Sequence, residues 1–66
     1  MENSIRVERA KKNITQEELA KKCNVSRQTI SSIEKGEFKP GTVLALKISN
    51  FFGTTVNKIF MLNKTD

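Results

Sequence analysis

Apolar residues recur along this chain at spacings of three and four, and they nowhere alternate long enough to define a strand. Leu19, Ala20 and Cys23 form one set, and Ile30 and Ile33 a second. Leu44, Ile48, Phe51 and Phe52 make a third, and Val56, Ile59 and Phe60 a fourth. Each set falls on one face of a helix. Ile5, Ile14 and Val25 complete the expected core. The pattern predicts an all-α architecture of five short helices around that core.

Capping residues set the boundaries. A first helix is expected from about Ser4 to Lys12, ended by Asn13, because Asn tolerates the left-handed conformation of a C-terminal cap. TQEE, at 15–18, reads as a capping box. The Thr15 hydroxyl takes one free N–H while Glu18 reaches back to another. Glu17 and Glu18 in the first turn, with Lys21 and Lys22 in the last, suit the helix dipole. Asn24 and Val25 form a turn, Ser26 caps a third helix and Gly36 ends it. EFKPG, at 37–41, is a loop. A fourth helix spans about Thr42 to Phe52 and stops at Gly53, and Thr55 caps a last one through Phe60. MLNKTD is a tail with an apolar start.

Composition narrows the function classes. The 66 residues suffice for one domain, residues 1–66, with a small core. At 36% apolar and 29% charged the chain reads as soluble and globular. No apolar run approaches the roughly 20 residues of a membrane span, and no secretory signal is expected. Cys23 is the single cysteine and histidine is absent, so neither a disulfide framework nor a zinc or iron–sulfur site is expected. No catalytic residues, metal ligands or cofactors are therefore assigned, and a reducing, cytoplasmic setting is expected. An enzyme would need a nucleophile–base pair, and Cys23 has no histidine to activate it. The net charge of +5 suits an anionic partner, with solubility alone as the plainer alternative.

The third helix carries the functional signal. Ile30 and Ile33 face one way, flanked by Ser26 and Thr29. Gln28, Ser32 and Lys35 face the other, with Ser31 beside them and Arg27 at the N-terminal edge. A solvated outer face would account for such a helix in isolation. The segment before it favours a different account. Ala20 is small where two helices must cross, Asn24 suits a tight turn with positive φ, and Leu19, Val25, Ile30 and Ile33 are apolar where the helices must pack. Together they make a helix-turn-helix over about residues 16–34. In that setting glutamine can pair bidentately with adenine, and arginine can fork onto guanine.

With TQEELAKKCNVSRQTISSIEKG, the Pro40 loop, ALKISNFFG and VNKIF, the chain resembles the Cro/phage-repressor, XRE-like helix-turn-helix regulators over about residues 5–60. The resemblance implies a stand-alone DNA-binding regulator, usually dimeric and without a cofactor. It assigns base reading to Arg27, Gln28 and Ser32, and to Gln16 a phosphate clamp that often touches the recognition helix, with simple solvation beside a cap as the alternative. Thr29, Lys35, Phe38 and Lys39 fall near the DNA backbone, with a core position as the alternative for Phe38. Arg9 and Glu34 match an inter-helix salt bridge, with two independent surface charges as the alternative. Three departures stand out: Asn24 replaces the usual Gly, Glu8 sits where relatives carry an apolar residue, and Thr42–Val43 exchanges an apolar–polar pair.

The expected partner is double-stranded DNA with a near-palindromic operator, bound by a homodimer acting as a repressor. Phe60, Met61 and Leu62 with the Met1–Ile5 segment, as short terminal strands, plus Val43 and Leu46, form the candidate dimer surface. A tail folded onto its own core is the alternative. The rival function is an antitoxin-like interaction module that also binds DNA, for which the six-residue tail offers little arm.

Overall fold

The computed structural model describes residues 1–62. Residues 63–66, the end of the expected tail, lie outside it. The element order is β1 (Glu2–Asn3), α1 (Ile5–Lys12), α2 (Gln16–Cys23), α3 (Arg27–Glu34), α4 (Thr42–Phe51), α5 (Val56–Ile59) and β2 (Phe60–Met61).

The capping residues act as their chemistry requires. Asn13 and Asn24 both adopt left-handed conformations, with φ of 56° and 59°. Their backbone N–H groups turn back onto the last turns of α1 and α2. Thr15 and Glu18 form the reciprocal capping box: the Glu18 N–H donates to the Thr15 hydroxyl, and the Thr15 N–H donates to Glu18 Oε1, both at 3.0 Å. Ser26 Oγ accepts from the Thr29 N–H at 3.1 Å and opens α3. Gly36, just past α3, has a φ of +78°, and an added Cβ would lie 3.2 Å from the Met1 carbonyl oxygen.

The ends of the helices differ from expectation in three places. Ser4 precedes α1 as its N-cap residue, and its side chain makes no cap bond. Thr55 occupies the N-cap of α5, likewise without a side-chain cap bond. The fifth helix stops at Ile59 because Phe60 turns extended, with φ −109° and ψ 128°, to join a sheet. That sheet is antiparallel, with Glu2 opposite Met61 and Asn3 opposite Phe60. The Ser4 N–H donates to the Ile59 carbonyl at 2.9 Å and continues the link.

The core draws on every helix: Ile5, Leu19, Ala20, Cys23, Ile30, Ile33, Ile48, Phe52 and Ile59 are buried. Ile14, Val25, Leu44, Phe51 and Phe60 pack around them. Burial pushes the Cys23 thiol up from its ordinary pKa, partly offset by the charge of Lys47, as fits a core thiol. Val56, expected in the core, is half-buried and lines an apolar groove with Leu46 and Phe60. Ala45 and Ser49 of α4 are buried although the spacing pattern did not select them. Lys12 stands over the Phe51 ring, 5.7 Å from its centroid, and joins the end of α1 to α4.

The packing of α2 on α3 is the most extensive between elements. Ala20 is 2% exposed in α2, and its carbonyl accepts the Val25 N–H across the turn at 3.0 Å. A small side chain there lets the turn close tightly beneath α3. With Ile30 and Ile33 buried, α3 is pinned by one stripe and presents the opposite face outward.

Candidate nucleic-acid interface

Arg27 and Gln28 open α3, and both are exposed. The first turn of this helix holds no acidic residue. Its free N–H groups and the positive end of its dipole therefore meet solvent without a neutralising carboxylate. By contrast, α2 carries Glu17 and Glu18 in its first turn. Behind Gln28, Ser31 and Ser32 are half-buried, and Lys35 is exposed at the C-terminal end.

Thr29 lies against the cap, its hydroxyl 2.9 Å from Ser26 Oγ. Phe38 in the following loop is 49% exposed and is not part of the core. With Ser26, Gln28, Thr29 and Ser32 it lines an open groove of about 320 Å³. The groove sets an apolar ring beside hydrogen-bonding side chains, a lining that can accept both a base edge and a sugar. Lys39 is exposed in the same loop.

Beneath this surface runs a charged network. Arg9 of α1 donates through Nε to Glu34 Oε2 at 2.6 Å and through Nη2 to Oε1 at 3.1 Å. Its Nη1 donates to the Ile14 carbonyl at 3.1 Å. The side chains are only 15% and 5% exposed. Burial of Glu34 opposes its ionisation. The hydrogen bonds from Arg9 and Gln16, with the charges of Arg9 and Arg6, overcome that and hold its carboxyl below the usual glutamate range. The Arg9 guanidinium is raised in turn, chiefly by its bond to Glu34. Gln16 Nε2 donates to Glu34 Oε1 at 3.0 Å, and Arg27 Nη1 donates to Gln16 Oε1 at 3.5 Å. Arg9 and Glu34, expected as a salt bridge, thus meet Gln16 and Arg27 in one place.

Other members stand apart. Val43, Leu46, Met61 and Leu62 are exposed at 68%, 47%, 43% and 75%. Phe60 instead packs half-buried against the core of its own chain. One supporting residue had no sequence signal: Asn3 Nδ2 donates to the Ile33 carbonyl at 2.7 Å and ties β1 to the end of α3. Two-residue strands carry no periodicity from which that reach could be foreseen.

A family model described as helix-turn-helix matches residues 5–59. An HTH-type transcriptional regulator of Methanocaldococcus jannaschii is 52% identical over 61 residues, covering 92% of each chain. Another, from Archaeoglobus fulgidus, is 42% identical over 66 residues, covering 100% of this chain and 93% of the relative. The Bacillus subtilis HTH-type regulator YgzD is 38% identical over 64 residues, with 97% of both covered. Among solved structures, the clp gene regulator ClgR of Corynebacterium glutamicum matches with a TM-score of 0.75 at 30% identity. That match covers 80% of this chain but only 56% of the ClgR chain.

Proposed function

The chain belongs to the helix-turn-helix family of DNA-binding transcription regulators, of the Cro/phage-repressor type, and from that premise we propose that α3 enters the major groove of double-stranded DNA and reads sequence there. The observation that carries this reading is the exposed pair Arg27–Gln28 at the open end of a helix whose other face is anchored by Ile30 and Ile33. Arg27, Gln28 and Ser32 discriminate base edges. Gln16, Thr29, Lys35, Phe38 and Lys39 meet the backbone and fix the register. Residues 1–66 act as one binding domain, in the cytoplasm, with recognition rather than catalysis as their work.

The active form in this reading is a homodimer, supported by the exposed apolar side chains Val43, Leu46, Met61 and Leu62. Two copies of α3 then lie in successive major grooves about 34 Å apart, and the operator is near-palindromic. Bound over a promoter, the dimer represses by occupying the site.

Selection of bound duplexes from a random pool tests the reading. Enrichment of near-palindromic sequences with half-sites about one helical turn apart is the expected outcome. A pool that stays random, with no saturable complex in dilute salt, would falsify it.

A further inference from the structure

We propose that Glu34 is a positioning residue for base readout, acting through the Gln16 side chain to set the direction from which Arg27 approaches DNA. The proposal rests on the DNA-reading role given to α3 above. Its basis is the order of donors and acceptors in a network that is part-buried at Arg9, Gln16 and Glu34 and exposed at Arg27. An ionised carboxylate only accepts, so Glu34 Oε1 requires the N–H side of the Gln16 amide. That choice turns the Gln16 carbonyl outward, where it accepts from Arg27 Nη1. At 3.5 Å this last contact is long for a hydrogen bond and orients the guanidinium rather than clamping it.

The reversed amide is unfavourable at both ends. It would set the Gln16 carbonyl against the Glu34 carboxylate and its NH₂ against the Arg27 guanidinium, acceptor facing acceptor and donor facing donor. Arg9 in turn holds the carboxylate in place with two hydrogen bonds. The second Nε2 hydrogen of Gln16 remains for a DNA phosphate. One amide thereby connects the salt bridge, the phosphate and the base-reading arginine.

Glu34→Gln removes the constraint with little change of shape, because either orientation of its amide sets an NH₂ against an Arg9 N–H and Gln16 no longer has to meet an acceptor. The test compares the parent, Arg27→Ala, Glu34→Gln, Gln16→Met and the double variant on the selected duplex, on random duplex, and on duplexes altered at single base pairs. Arg27→Ala marks the base pair that Arg27 reads. At that pair, Glu34→Gln is expected to reduce discrimination by about tenfold, within the range of a lost bidentate contact. Its affinity for random duplex is expected to fall less than that of Gln16→Met, which deletes the phosphate donor that Glu34→Gln only releases. The double variant should discriminate no worse at that pair than Gln16→Met, the signature of two residues acting in series.

A uniform loss on all duplexes, with base preference intact, would mean that Glu34 serves stability alone and would overturn the proposal. If Glu34→Gln does not fold, Gln16→Met carries the test with the Arg9–Glu34 pair left intact: lost preference at the marked pair supports the proposal, and retained preference overturns it. An Arg27→Ala variant with unchanged base preference would remove the underlying reading and the proposal with it. A measurement without DNA separates the two failures. The Gln16 side-chain amide protons should be held at distinct shifts in the parent and move to free-glutamine positions in Glu34→Gln. Free-glutamine shifts in the parent would overturn the relay whatever the DNA results.

Discussion

Gln28 is exposed one turn ahead of Ser32 on the outer side of α3. Its amide can offer a donor and an acceptor together to one adenine edge. Gln28→Ala is expected to weaken binding to the selected sequence by about 1–3 kcal/mol and to change binding to random duplex far less. Parallel titrations check this, and equal losses would remove Gln28 from base readout. Ser49 presents the opposite situation. It is 1% exposed in α4, and its hydroxyl has no hydrogen-bond partner among the described residues. A buried, unsatisfied hydroxyl costs roughly 1–3 kcal/mol, and alanine is the better helix former. Ser49→Ala should therefore stabilise the protein by about 1 kcal/mol, raising the melting temperature by roughly 4–8 °C. A lower melting temperature would show that the hydroxyl has a partner.

At the scale of elements, legibility followed locality. Asn13, Thr15–Glu18, Asn24 and Ser26 place the boundaries of α1, α2 and α3 because a cap acts within four residues of itself. In α4 the signal was weaker. Residues 42–51, TVLALKISNF, are apolar on more than one side, so spacing selected Leu44 and missed Ala45 and Ser49. No local pattern carried the network, and its Arg9–Glu34 pair was expected only through the family resemblance. Its bonds span 11, 18 and 25 residues, and only the packing of α1, α2 and α3 brings their ends together. That packing has a pH consequence. Glu34 is held below the usual glutamate range in the folded protein, so its contribution is fully present above the unfolded value, and it fades as pH falls through the folded one. Urea midpoints measured from about pH 6 to about pH 3 should fall more steeply for the parent than for Glu34→Gln. Parallel curves would mean that the pair adds nothing to acid sensitivity.

Across the whole molecule, the proposed homodimer rests on the outward-facing apolar side chains of α4 and of the β2 end of the chain. Val43 and Leu46 are one turn apart on α4, and Met61 and Leu62 follow at the end of the described chain. Sedimentation at high micromolar concentration is expected to give a mass above the 7.5 kDa of one chain, and Leu46→Glu to restore the single-chain value. A 7.5 kDa parent would remove the homodimer. The pairing of β1 with β2 has a different bearing. Glu2 meets Met61 across nearly the whole described length, so forming this contact closes the largest loop in the molecule. The α2–α3 turn closes over a handful of residues. Loop-closure entropy therefore favours one order of folding, in which the helical hairpin forms early and the terminal ribbon is expected to latch last, over an interior that is already assembled.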